Sequence, residues 1–153
     1  MDASRDRDER GSEVLSAADC HMLLDRSAGH VGHLGFALAG GIVILPVNYM
    51  RKGDDILLCL GTGTTLRALS EEPTVSFEIE HIDARDSPAP EAWSVLAQGT
   101  AHVVRDPCEL GDATALGLTP LVGEPGAVYV RIAVDNLSGR RFAVGALARY
   151  QLG

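Results

Sequence analysis

Two turn clusters, Ala39-Gly40-Gly41 and Gly53-Asp54-Asp55, cut the chain between His30 and Leu60, and this punctuation narrows the fold more than any other feature. The stretches they separate, His30–Leu38, Ile42–Lys52 and Ile56–Leu60, are rich in Val, Ile and Leu. Turns this tight join antiparallel neighbours, because a parallel partner needs a crossover of about a dozen residues or more. A three-stranded antiparallel meander is expected here.

The flanking segments extend the pattern. Ser16 is a suitable N-cap, Asp19 stands three residues on, and Leu15 with Cys20 forms a hydrophobic staple. The predicted helix runs to Arg26 with Cys20, Leu23 and Leu24 inward. After the meander, Gly61-Thr62-Gly63 breaks the sheet and Thr64–Glu71 is expected as a short helix, with Leu66 and Leu69 inward and Pro73 as its stop. Thr74–Ile82 alternates, with Val75, Phe77 and Ile79 on one face and Thr74, Ser76, Glu78 and Glu80 on the other. A proline-bearing loop leads to a long strand, Ala92–Arg105. Asp106 and Pro107 then open a helix to Leu116 as N-cap and first helical residue. Ala127–Val134 is the final long strand, and Phe142–Val144 adds a short edge strand. The expected fold is mainly β (α+β): a six- to seven-stranded antiparallel split β-barrel with peripheral helices. Residues 1–12 are expected to be a disordered charged tail, 13–145 the barrel domain and 146–153 a C-terminal tail.

Length and charge bound the function. A chain of 153 residues accommodates one cored domain. The longest apolar run, near Ile42–Val47, falls far short of the roughly 20 residues of a membrane helix. The charged N-terminus shows no export signal, and Cys20, Cys59 and Cys108 are too scattered for a disulfide framework or a zinc site, so a cytoplasmic protein is expected. The net charge is −8, and Ser70–Glu91 holds seven acids against the single base Arg85. Such a strip repels a phosphate backbone, so no nucleic-acid partner is expected, nor a membrane partner.

Few residues have the pattern of a reaction centre. His30 and His33 lie three apart, on opposite faces of a strand, and cannot share a metal; no metal site is expected. Ser94 lacks a nucleophile elbow, and no Walker lysine is present. The segment Gly61-Thr62-Gly63-Thr64-Thr65-Leu66 offers free backbone N–H groups and threonine hydroxyls at a helix start, a neutral site for an anion such as phosphate. The alternative for the same residues is a plain strand-to-helix turn with Thr64 as cap.

Taken in order, several motifs resemble the FMN-binding split-barrel family related to pyridoxamine 5′-phosphate oxidase. They are the leading helix, Val31-Gly32-His33-Leu34, Pro46-Val47-Asn48-Tyr49, the glycine-threonine turn at 61–65, Val75–Glu80, Trp93–Leu96 with Gly99, and Gly139–Arg141. The resemblance spans Ser16 to Arg141. It implies a homodimer with the flavin at the subunit interface, and a flavin-dependent oxidoreductase acting on a small organic substrate. FMN is the implied cofactor, with the deazaflavin F420 as alternative. A non-catalytic protein that binds or stores flavin, deazaflavin or haem is the other reading.

The resemblance implies that Val47, Asn48 and Tyr49 run along the ring, with packing as the competing role for Val47 and Tyr49. Leu60, Thr62, Thr64 and Thr65 face the ribityl and phosphate, Trp93 and Ser94 approach the far side of the ring, and Arg141 is a further cofactor contact. No residue takes a general acid or base role. Two positions depart from the family: His33 replaces the usual arginine and Thr65 the usual lysine. Losing a charge-assisted hydrogen bond weakens phosphate binding by roughly 1.5–3 kcal/mol.

Overall fold

The structure, a computed structural model, describes residues 12–82, 91–121 and 126–143. The expected tail at 1–12 apart from Ser12, the expected tail at 146–153, and residues 83–90 of the proline-bearing loop lie outside the described residues. Seven strands and three helices follow in the order β1 (Glu13–Val14), α1 (Ala17–Arg26), β2 (Val31–Leu38), β3 (Gly41–Lys52), β4 (Asp55–Leu60), α2 (Thr64–Leu69), β5 (Thr74–Ile82), β6 (Glu91–Val103), α3 (Pro107–Ala115) and β7 (Val128–Ala143).

The meander forms as its turns dictate. Leu38 pairs with Gly41 and Lys52 with Asp55, so both hairpins have two-residue loops. Ala39 and Gly40 both take positive φ, 50° and 80°, which matches the twist of a two-residue hairpin. The sheet order is β1-β7-β4-β3-β2-β5-β6, and β6 also pairs with β7. That last pairing closes six strands into a barrel and leaves β1 attached to β7 on its own.

Two elements differ from expectation. The segments Ala127–Val134 and Phe142–Val144 were expected as separate strands, but β7 is continuous for 16 residues. It pairs with β6 from Val130 to Ala143, and a bulge at Gln98/Gly99 lets Asn136 oppose Gln98 while Val134 opposes Gly99. The bulge absorbs Asp135 without ending the strand. A short strand ahead of α1 is the other difference, since Glu13 and Val14 pair with Arg141 and Arg140.

Inward residues of all six barrel strands make one core, including Leu34, Val47, Tyr49, Leu58, Phe77, Val95 and Ile132. The capping helix α1 closes one end with Cys20, Leu23 and Leu24, and Tyr49 donates its hydroxyl hydrogen to the Leu24 carbonyl at 2.9 Å. Toward the other end, α2 inserts Leu69 and half-buried Leu66. A second cluster lies outside the barrel, where Ala113 of α3 and Leu118 cover Leu57, Cys59 and Tyr129. No described helix is long and apolar enough to cross a membrane.

Candidate functional site

A cavity of about 450 Å³ opens where β3, the end of β4 and the start of α2 converge. Leu45, Pro46 and Val47 come from β3, and Cys59 and Leu60 from β4. The connection Gly61 to Thr65 crosses its floor, and Pro120 with Leu121 supplies the remaining wall. Its size falls within the range of about 300–1,000 Å³ usual for small-molecule sites.

Local sequence explains the shape. Gly63 is the N-cap of α2 with φ 147° and ψ −159°, a region essentially reserved for glycine. No side chain caps the helix there, so the cap is Gly63 rather than Thr64. The hydroxyls of Thr64 and Thr65 are therefore not used as caps, and both residues line the cavity. The Pro120 wall is tied down from below: Asn48 Nδ2 donates to the Thr119 carbonyl at 3.0 Å, and the Tyr129 hydroxyl donates to the Leu118 carbonyl at 3.1 Å.

The cavity has two chemical halves. Leu45, Pro46, Val47 and Leu60 make an apolar slot suited to a flat ring, and Thr62, Thr64 and Thr65 offer hydroxyls at its edge. Among the described lining residues the only titratable group is Cys59, whose thiol burial pushes up. The donors are neutral. A helix of six residues adds only a modest dipole, so negative charge is met here by hydrogen bonds without a cation.

The structure brings together Val47, Leu60, Thr62, Thr64 and Thr65 of the residues picked out by sequence. Asn48 stands beside them but spends its amide on the loop wall. Tyr49 is fully buried, stacked at a tilt on Phe77 with centroids 4.9 Å apart, and burial raises its phenol far above the ordinary value. In one chain, Trp93, Ser94 and Arg141 lie away from this cavity. Trp93 stacks on His81 with centroids 5.8 Å apart and is paired with Arg141 across β6 and β7; Ser94 is paired with Arg140. Arg141 lies 3.8 Å from Glu13. Sequence reasoning left Leu45, Cys59, Pro120 and Leu121 out of the site. The two residues of the wall follow β4 by some sixty positions, and nothing in a Pro/Gly-rich loop states where it lands.

The fold and site together define a ligand-binding antiparallel split barrel with a neutral, half-apolar pocket at one end. The chain belongs to the pyridoxamine 5′-phosphate oxidase family, whose sequence profile matches residues 16–141. Among solved structures it is similar to the FAD binding protein from Mycobacterium smegmatis, at 27% identity and a TM-score of 0.69, covering 86% of this chain and 98% of that one. It is equally similar in fold to a conserved protein of unknown function from Corynebacterium diphtheriae, at 30% identity, TM-score 0.69 and the same two coverages. The FAD and heme binding protein from Mycobacterium smegmatis shares the fold at 21% identity and TM-score 0.63, covering 90% of this chain and 78% of that one. A search of curated proteins finds no match.

Proposed function

We propose that this protein binds a flavin and acts as a flavin-dependent oxidoreductase on a small organic substrate. The observation that carries the reading is the cavity itself, an apolar slot edged by three threonines, in a family where a 27% identical protein binds FAD. The flavin mononucleotide moiety, common to FMN and FAD, is the part this cavity would take. Leu45, Val47 and Leu60 would hold the ring, and Thr62, Thr64 and Thr65 the ribityl chain and first phosphate. The bound flavin would supply the two-electron chemistry. The protein's part is to orient the ring and keep water from it, and among the described lining residues the Cys59 thiol is the only titratable group. Among the described lining residues Cys59 alone is of a type that ligates haem, and burial raises its thiol pKa, which disfavours the thiolate a haem would need. A deazaflavin with a longer anionic tail fits poorly with neutral donors and a net charge of −8.

A homodimer is part of the proposal. Among the described residues the outer face around the β2–β3 hairpin is uncovered, with Ile42 80% and Ile44 70% exposed beside Ala37 and Pro46. A second copy on this face would shield the strip and bring its own Trp93 and Ser94 toward the open side of the ring. The absorption spectrum of the protein as purified is the direct test. A yellow protein that bleaches under a reduced nicotinamide without oxygen supports the reading; a colourless protein that takes up no riboflavin overturns it.

A further inference from the structure

We infer that a second cavity, adjoining the first across Thr64, is the subsite for the adenylate half of a flavin dinucleotide, with Arg67 and Glu71 as its specificity-determining residues. The inference rests on the flavin reading and deepens it. The second cavity has a volume of about 320 Å³, and Leu38, Ala39, Thr64, Arg67, Glu71 and Pro73 are among the residues around it. Thr64 lines both cavities, so a ligand leaving the first over the start of α2 enters the second directly.

Charge decides what can make that passage. A phosphomonoester carries a charge of about −1.5 to −2 at neutral pH, whereas each phosphate of a pyrophosphate diester carries about −1. The cost of desolvating an ion rises with the square of its charge, and the described residues of the first cavity offer neutral donors alone. A terminal dianion is thus poorly matched at Thr62–Thr65, and a diester monoanion is better matched.

The cations of the chain point the same way. Arg51 is held by Asp25, with its Nε and Nη2 each 2.7 Å from a carboxylate oxygen, and a third nitrogen donates to the Gly53 carbonyl. Arg141 lies near Glu13 on the far end of β7. Arg67 stands three residues, about 4.5 Å of helix rise, beyond Thr64 on the same side of α2. It has no ion pair among the described residues and lines the second cavity. A second phosphate crossing Thr64 meets this guanidinium.

Glu71 distinguishes a nucleotide from a bare phosphate. Its carboxylate accepts hydrogen bonds and repels anions, so beside Arg67 it disfavours a lone phosphate. Ribose hydroxyls or an exocyclic amine provide the donors that it needs. Leu38, Ala39 and Pro73 supply the apolar wall on which a base can lie. Phosphate, sugar donors and a flat base occur together in an adenylate.

The experiment titrates riboflavin, FMN and FAD into the flavin-free full-length protein and its Arg67→Gln and Glu71→Gln variants. For the unmodified chain, FAD is expected to bind at least about tenfold more tightly than FMN, the gain of one charge-assisted contact. Arg67→Gln should remove most of that advantage and leave riboflavin affinity unchanged. Glu71→Gln should weaken FAD and leave FMN unchanged or tighter. FMN binding as tightly as FAD, equal losses for all three ligands in Arg67→Gln, or an unaltered FAD affinity in both variants would each overturn the subsite. If riboflavin binds and FAD shows no advantage, the second subsite alone has failed; if riboflavin does not bind, the flavin reading has failed with it.

Discussion

A methyl group placed on Gly99 would stand 1.9 Å from the Ala133 carbonyl oxygen, a contact that only backbone movement could relieve. On Gly32 it would stand 2.2 Å from Phe77 Cζ, the end of a ring that is fully buried in the core. At Gly99 the backbone of β7 leaves no room for a Cβ, and at Gly32 the space is taken by the Phe77 ring. Gly99→Ala is therefore expected to lower stability by about 2 kcal/mol or more, measured by urea unfolding, since overpacking typically costs about 1–3 kcal/mol even where side chains can adjust. Asn48 presents a different case. Removing its amide in Asn48→Ala frees the Thr119 carbonyl and with it the Pro120–Leu121 wall. A stability loss of about 0.5–1.5 kcal/mol is expected, with weaker riboflavin binding in the same titration. The site was legible in sequence where chemistry and chain order coincide, at Leu60 and Thr62–Thr65. The partners of Asn48 and Tyr49 were not legible: a strand residue's neighbours across the sheet and loops are long-range facts, and the chain alone does not reveal that Asn48 meets the Thr119 carbonyl and Tyr49 the Leu24 carbonyl.

Elements form where local signals agree. Both hairpins, the N-caps Ser16 and Asp106, and the alternation of β5 are all visible in the chain, because turn residues and caps act within a few positions. Strand β7 is not visible as one element, since Asp135, Asn136 and Ser138 read as a loop; its continuity comes from a partner, β6, and its bulge. The β2–β3 turn nonetheless carries one local conflict. Ala39 takes φ 50°, which costs an ordinary L-residue about 1–2 kcal/mol, whereas Asn tolerates it far better. Ala39→Asn should raise stability by up to about 1 kcal/mol and move the thermal midpoint upward by a few degrees. A second element-level device ties α1 to β3. Asp25 receives two hydrogen bonds from Arg51, which hold its carboxyl below the usual carboxylate range. The folded state therefore binds this proton less readily than the unfolded chain. The stabilisation is fully present above the unfolded carboxylate pKa near 4 and is lost as pH falls through the lower folded value. For a pair this exposed the contribution is at most about 1 kcal/mol. Arg51→Met should reduce stability at pH 7 and flatten its dependence on pH in the acid limb of urea titrations.

At the scale of the whole molecule, the barrel has unequal outer faces. Helix α3 covers β4, β7 and the Met50 end of β3, burying Leu57, Cys59 and Tyr129, while among the described residues Ile42 and Ile44 of β3 stay exposed. Ile42, Ile44 and Pro46 recur at every second position of β3, so they share the outward face, and Ala37 pairs with Ile42 across the hairpin. Scattered exposed isoleucines are ordinary, but a contiguous apolar row on a flat sheet face marks an association surface. Acids flank the row on β5, where Glu80 lies 3.6 Å from His33, giving it the polar border typical of interfaces. The double substitution Ile42→Glu with Ile44→Glu places two carboxylates in the middle of the row. Because both side chains are exposed in the single chain, its own fold should lose less than about 0.5 kcal/mol. In the proposed dimer the same carboxylates would face their counterparts across a two-fold axis, and burying them unpaired costs several kcal/mol. Light scattering is expected to give twice 16.2 kDa for the unmodified protein and the single-chain mass for the variant. Flavin affinity should fall with dimer content, because the open side of the ring would lose the second copy. A variant that stays dimeric with full flavin affinity would place the interface elsewhere, and a monomeric variant with unchanged affinity would show that one chain completes the pocket alone.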